Sequence, residues 1–311
     1  MGVNVPAAMG RGALLTTAEG TQSAAFGAQD WGLLLTVSLI WGGSFFFIAY
    51  ALESFPPALV GLLRLSLGFT VLSLLPRARA VKFERADWSR VALLGVTWLA
   101  GPFLLFPIAE QWISSAVAGM LNGGIPVFAA TIAAGMLRRV PTLRQIAGIL
   151  IGALGIVLIS LPSLTGGSQT ALGVGLIMLA VLGYALSSNI SVPLIQKYGS
   201  FATQWRVQGA AVLFSLPYAV TQIHRVHHVS FRSAGSVVML GVFGTGLALV
   251  LAGRLFARVG VTRGTIFNYL VPVVAILLGV LVRHDPFKPL HAVGIGLVLA
   301  GAWIISQATN H

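Results

Sequence analysis

Ten apolar runs, most of them 16 to 22 residues long, divide this chain, beginning near Trp31, Pro57, Val91, Val117, Ile146, Leu172, Thr203, Ser236, Thr265 and Ala292. A helix needs about 20 predominantly apolar residues to cross a hydrocarbon core about 30 Å thick, so each run is about one crossing long. In lipid every backbone polar group needs an internal partner, which leaves helices or a closed barrel. Continuous rather than alternating apolarity decides for helices. Charged residues make up only 8% of the chain and mean hydropathy is +0.91, where a soluble domain carries about 25% charge. The expectation is an all-α membrane protein with ten transmembrane helices.

The net charge of +12 is better explained by topology than by nucleic acid, because the basic residues are scattered over short connections and form no basic face with interleaved aromatics. With ten spans, one side carries Arg11, Arg77, Arg79, Lys82, Arg85, Arg90, Arg138, Arg139, Arg144, Lys197, Arg254, Arg258 and Arg263, 13 in all. The other side carries only Arg225, Arg232, Arg283 and Lys288. Lys and Arg concentrate in cytoplasmic connections, which puts both termini in the cytoplasm of a cell bounded by an inner or plasma membrane. Residues 1–29 read as a disordered cytoplasmic tail, since the apolar stretch is cut short by Glu19 and makes a poor secretory signal. The chain has no cysteine, which removes disulfides, thiolate catalysis and thiolate metal sites together.

The chain also repeats itself. Leu94–Ser160 written above Leu240–Ser306 needs no gap, keeps a constant offset of 146 and matches at 13 of 67 positions. Among these are Gly95/Gly241, Asn122/Asn268, Pro126/Pro272, Gly148/Gly294 and Gly155/Gly301. Each unit, 30–161 and 171–307, holds five spans. Because five is odd, the second copy enters the membrane from the opposite side, which makes inverted repeats and suits alternating access.

The stretch "AEQWISSAVAGMLNGGIPVFAATIAAGMLRRVPTLRQIAGILIGALGIVLIS" resembles the second part of an EamA domain of the drug/metabolite transporter superfamily. "FARVGVTRGTIFNYLVPVVAILLGVLVRHDPFKPLHAVGIGLVLAGAWIIS" resembles the same part again, and "WGGSFF" with "PPALVGLLRLSLGF" resembles its start. The resemblance covers Trp31 to Ser306 and is specific to superfamily rather than to substrate. It implies a ten-helix carrier for small metabolites, often an exporter. One departure stands out: where that family carries a glutamate about twelve residues after each proline, this chain has Arg138 and His284.

The paired Asn-x-x-x-Pro has its own physical reading. Proline lacks an N–H, and its ring crowds the carbonyl four residues earlier, so Pro126 and Pro272 should break their helices and free the carbonyls of Asn122 and Asn268. A discontinuous helix at matching positions of two halves is the best sequence pointer to a carrier site. Trp41 lies about ten residues into its span, near mid-bilayer at about 1.5 Å per residue, whereas anchoring tryptophans sit at helix ends. With Gly42, Gly43 and Ser44 beside it and Tyr184 as its counterpart, it reads as a cavity wall. Ser187, Ser188 and Asn189 form a polar cluster that must face the bundle or water. Trp98, Phe103 and Tyr269 extend the expected substrate pathway. Gly148-x-x-x-Gly152 reads as helix packing.

No Asp or Glu falls inside an expected span, and Glu53 and Glu110 sit at outer helix ends. Proton relays and organic-cation sites generally use buried carboxylates, which argues against a proton/cationic-drug antiporter. Arg64 and Arg206 lie close enough to span ends to snorkel and read as structural. An arginine turned inward would instead favour an anionic group on the substrate. The "HRVHH" run, His224–His228, has metal-like spacing but lies in a connection without a nearby acid. No motif for a cofactor, a catalytic set, nucleic acid or an obligate protein partner appears. The expected function is a secondary carrier of a small neutral, zwitterionic or weakly anionic metabolite, amino-acid-like. The alternative is a membrane scaffold or sensor that binds a lipid or partner without turnover.

Overall fold

The computed structural model describes residues 27–136, 141–164, 167–259 and 267–307. The expected tail therefore falls almost entirely outside the described residues, as do Arg138 and Arg139. Among the described residues the regular elements are all helical. They are α1 Ala28–Ala51, α2 Pro57–Ser73, α3 Trp88–Leu94, α4 Gly101–Ala109, α5 Ser115–Asn122, α6 Ile125–Met136 and α7 Leu143–Leu164. The second half supplies α8 Ser168–Ile190, α9 Val192–Tyr198, α10 Ser200–Val220, α11 Phe231–Val238, α12 Ala248–Val259, α13 Phe267–Leu281 and α14 Pro289–Gln307.

Six helical stretches among the described residues are long and apolar enough to cross a membrane: Ala28–Ala51, Arg85–Ala109, Ser115–Met136, Leu143–Pro162, Ser168–Ile190 and Phe231–Ala252. Pro57–Ser73, Phe267–Leu281 and Pro289–Ile304 are apolar but shorter. Large apolar side chains are exposed along the outer helix faces, for example Leu143, Leu150, Leu154 and Val157 on α7 and Leu213 and Phe214 on α10. Such a surface suits lipid and not water.

Local chemistry explains where helices begin and end. Pro57 and Pro76 occupy first-turn positions, where a missing N–H is not needed. Ser114 and Ser230 cap α5 and α11, accepting from the Val117 and Ser233 amides. Gly199, with φ of +81°, makes the sharp corner between α9 and α10.

Connections that share a face are tied to one another. On the face where α1 begins, Lys197 lies 2.8 Å from Glu84 and 2.9 Å from Asp87, and the Tyr198 hydroxyl donates to Asp87 at 2.6 Å. The Glu84 hydrogen bond, reinforced by Asp87 and Tyr198, holds the Lys197 ammonium above its ordinary range. Arg206 donates to the carbonyls of Ala78, Ala202 and Val81, and its guanidinium lies 4.3 Å from the Phe83 ring centre. On the opposite face Ser233 donates to the Tyr50 carbonyl at 2.8 Å, and Arg232 lies 3.3 Å from Glu53. Asp285 there accepts from the Ser115 hydroxyl at 2.6 Å and the Ala116 amide at 3.0 Å. Asp285, next to the departing position His284, thus caps the start of α5, and His284 itself adopts a left-handed φ of 58°.

Close approach of backbones holds the helices together. A methyl group added at Gly155 of α7 would lie 2.5 Å from the Gly294 carbonyl of α14, and one at Gly301 would lie 2.5 Å from the Gly148 carbonyl. The pairs 155/294 and 148/301 exchange under the sequence offset of 146, so this contact is self-complementary. The same logic seats Gly42 of α1 against Val271 and Val274, and Gly123 against the Pro272 ring.

Gly155→Leu should therefore force α7 from α14 and cost about 1–3 kcal/mol by overpacking. The readout is a lower thermal transition in detergent. Gly175→Leu, at a position with open space around it, should leave that transition unchanged.

Candidate functional site

Three departures from α-helical geometry border one cavity. Gly95–Ala100 between α3 and α4 and Met239–Leu247 between α11 and α12 are π-helical. In these the Gly101 amide bonds the Val96 carbonyl and the Ala248 amide bonds the Phe243 carbonyl, five residues back. Pro102, which cannot donate to the carbonyl of Trp98, gives the first segment its cause. Gly241, Gly244 and Gly246 give the second its freedom. The two segments coincide under the 146-residue offset. The third departure is the Gly123–Gly124 turn between α5 and α6.

The cavity has an empty volume of about 1310 Å³, part of it open to solvent. It runs from mid-bundle toward the face where α1 begins, ending among Ser191, Ile195 and Ser200 near the α9–α10 corner. Its walls are aromatic. Trp41 meets Phe267 edge-on at 4.7 Å, Phe45 meets Phe106 at 5.4 Å, and Phe106 stacks toward Tyr184 at 6.0 Å. The Trp41 indole donates to the Gly244 carbonyl at 2.8 Å, so the ring is fixed by the π-helical segment and still faces the cavity.

Of the residues singled out in the sequence, Trp41, Ser44, Trp98, Phe103, Asn122, Tyr184, Ser188 and Asn268 line this cavity. Ser187 does not: it is buried, with its hydroxyl 2.7 Å from that of Thr97. Tyr269 points elsewhere, donating to the Ala302 carbonyl at 2.9 Å. Asn189 is spent on the carbonyls of Ala129 and Ala185. Pro126 follows the Gly123–Gly124 turn, whereas Pro272 lies inside the continuous helix α13. The expected pair of helix breaks is therefore unequal, because Gly-Gly lies before Ile125–Pro126 where Tyr269 and Leu270 lie before Val271–Pro272. Neither asparagine amide has a hydrogen-bond partner among the described residues.

Arg64 departs most from expectation. It does not snorkel but turns inward, and it is 7% exposed on the cavity wall. Its Nε donates to Thr245 Oγ1 at 3.0 Å, and its guanidinium carbon sits 3.9 Å above the Phe103 ring centre. Thr245 in turn donates to the Leu240 carbonyl five residues back, a bond the π-helical segment makes available. Among the described residues no carboxylate lies within ion-pair distance of Arg64. A buried guanidinium without an anion is costly, and here the residue lines the space a ligand would fill. Gln204, Ser191 and Thr245 join it as polar lining residues that hydropathy alone did not single out.

Glu110 ends its helix where the sequence puts it, but its carboxyl group is buried there. Both of its carboxyl oxygens are shut off from solvent, without a hydrogen-bond partner among the described residues. His224, His227 and His228 are exposed, as a solvated connection requires.

Comparison with known proteins gives the same family twice. Residues 31–161 and 171–307 each match the EamA-like transporter family. An uncharacterized transporter of Archaeoglobus fulgidus is 26% identical, over 89% of this chain and 98% of its own. A protein of Streptantibioticus cattleyicolor named a probable terminal-alkyne amino-acid exporter is 26% identical, over 90% and 93%. One of Salmonella typhimurium named a probable amino-acid metabolite efflux pump is 22% identical, over 89% and 94%. A solved crystal structure superposes with a TM-score of 0.61 at 19% identity, covering 91% of this chain and 99% of that one. That last likeness concerns the fold alone.

The two arginines should separate in a thermal-shift experiment without ligand. Arg206→Ala deprives three carbonyls of a donor and should destabilise by about 1–3 kcal/mol. Arg64→Gln removes a buried charge with no counter-ion and should leave stability unchanged or raised. A collapse of Arg64→Gln would make it a structural residue.

Proposed function

The chain belongs to the EamA-like transporter family, and on that premise we propose that it is a secondary carrier exporting a small amino-acid-like metabolite by alternating access. The reading has ten spans in two inverted five-helix repeats, 30–161 and 171–307, in an inner or plasma membrane with both termini cytoplasmic. The double family match, the self-complementary α7–α14 contact and the coincident π-helical segments support the duplication. The excess of basic residues on the side of the N-terminus supports the orientation.

One observation carries the substrate class: the inward guanidinium of Arg64, held by Thr245 and Phe103 on the wall of the cavity. Of the neutral, zwitterionic and weakly anionic solutes that suit such a pathway, it favours those bearing a carboxylate. A carboxylate on Arg64 supplies the missing counter-charge through two parallel hydrogen bonds. Asn122, Asn268, Ser44 and Ser188 offer neutral polar contacts to the rest of the molecule, and the aromatic wall accepts its apolar part. Two relatives whose names include amino-acid export support the same class.

The contrast between the two faces supports alternating access. The cavity reaches the face where α1 begins, and the network of Asp285, Ser115, Arg232 and Glu53 joins helix ends across the other. This arrangement corresponds to a carrier open to the cytoplasm.

Counterflow of labelled amino acids into proteoliposomes loaded with the same amino acids unlabelled tests the proposal. Truncating one partner of a buried charge pair costs about 2–5 kcal/mol, so Arg64→Gln should weaken the apparent affinity about thirtyfold or more. Trp41→Ala should lower the rate with folded yield retained. No exchange of any amino acid by the wild-type protein would return the scaffold reading.

We further assign Asn122 and Asn268 as paired gate elements. Both amides are unpartnered in this state, so replacing either by leucine removes a polar group from one half only, and a partner it takes in another state of the cycle loses about 1–3 kcal/mol. Reporter cysteines at the two mouths should shift in accessibility in opposite directions in Asn122→Leu and Asn268→Leu. Equal shifts would leave both as packing amides.

A further inference from the structure

Glu110 ends α4 on the face away from the cavity mouth, and its surroundings do not suit a charge. Its carboxyl oxygens reach neither water nor a hydrogen-bond donor among the described residues. The charged groups facing it come from two elements: Arg283 and Asp285 from the connection after α13, and Arg64 from α2. Each has another neighbour, though Arg283 Nε is itself buried without a hydrogen-bond partner among the described residues. Arg283 Nε lies 3.6 Å from Asp285 Oδ1, Asp285 is engaged by Ser115 and Ala116, and Arg64 is held on Thr245. Beyond Arg64 stands Tyr184, and beyond Arg283 stands Tyr50, whose ring centre lies 5.0 Å from the Arg283 guanidinium and 4.7 Å from that of Arg232. Arg232 in turn pairs with Glu53.

We propose that Glu110 is a proton site coupled to the outer mouth of the bundle: that mouth closes over the protonated carboxyl and opens as the proton leaves. The inference rests on the alternating-access reading and adds to it the ion that biases the two states. A carboxylate without water or partner is strongly disfavoured, so the closed arrangement holds the neutral acid. When the helix ends tied by Asp285 and Ser115 part, water reaches Glu110, Arg283 becomes available to it, and the carboxylate is the favoured form. One proton is therefore bound in the closed state and released to the outer solution on opening. Because the closed state has the higher proton affinity, acid favours closure. That bias is lost as external pH rises through the closed-state value.

The test uses the absence of native cysteine. Ile48 is 2% exposed and lies on the cavity wall, so Ile48→Cys should meet an impermeant thiol reagent added outside intact cells only when the outer mouth opens. His227→Cys, in the exposed connection on that face, corrects for the reagent's own pH dependence. The corrected rate should fall as external pH is lowered from about 8 to about 5, toward about tenfold per pH unit, the limit for one proton linked to one conformational step. In the Glu110→Gln background it should be low and flat, whereas Glu110→Asp, which keeps a titratable carboxyl, should retain the fall. A pH response that survives in Glu110→Gln, or is lost in Glu110→Asp with folded yield retained, would overturn the proton site and leave alternating access standing. No outside labelling of Ile48→Cys at any pH would overturn the opening itself and the proton site with it.

Discussion

Everything in this molecule follows from placing backbone amides where water cannot reach them. Helices satisfy those amides internally, but in lipid they gain little hydrophobic reward for associating, so association depends on close van der Waals approach at small residues. The α7–α14 contact meets that need with Gly148, Gly155, Gly294 and Gly301, where each backbone fills the space a side chain would occupy. Irregular backbone is admissible at membrane depth only where it is buried or lines a wet space. The two π-helical segments and the Gly123–Gly124 turn obey this rule, since all three border the cavity. Scaffold and site are consequences of one constraint: regular backbone faces lipid, and these irregular segments border the cavity.

The two buried arginines illustrate how local backbone decides the fate of a charge. Arg206 sits near carbonyls of Ala78, Ala202 and Val81 that need donors, and it is consumed by them. Arg64 meets instead a π-helical segment whose Thr245 takes only its Nε, leaving the rest of the guanidinium available. Both lie within the first turns of a span in the sequence. Their roles differ because the loop after α2 supplies carbonyls to Arg206, whereas Arg64 meets the Phe103 ring and the Thr245 hydroxyl on the cavity wall.

Most of the scaffold was legible because it rests on periodicity and length. Apolar runs located the helices, the constant offset of 146 located glycines that pack on one another, and the mid-span position of Trp41 located the cavity wall. What was not legible depends on long-range placement. Nothing local distinguishes Ser187, spent on Thr97, from Ser188, which lines the cavity one residue on. Tyr269 adjoins Asn268, yet its ring leaves the site for Ala302. Glu110 reads as a solvated helix end because hydropathy counts the residue and not what folds over it. Arg64 could have been found by one signal: it is a span-interior charge opposite a glycine-rich run, where backbone leaves room for a long side chain to turn inward.

The same signature in both halves does not make the halves alike. Asn-x-x-x-Pro recurs with the intervening residues changed from Gly-Gly-Ile to Tyr-Leu-Val. Glycine costs a helix about 1 kcal/mol relative to alanine, so two in succession before a proline tip that segment out of helical bonding, while Tyr269 and Leu270 retain it. Gly123 also lets the Pro272 ring approach so closely that a methyl group there would lie 2.8 Å from its Cγ. The broken helix and the continuous one are therefore packed on each other at the break. A flexible joint braced against a stiff rod can bend in only one of the two, and the α5–α6 joint is the one that borders the cavity at Asn122 and Ile125. Under the alternating-access proposal, movement begins at this joint, with α13 as the surface it moves against.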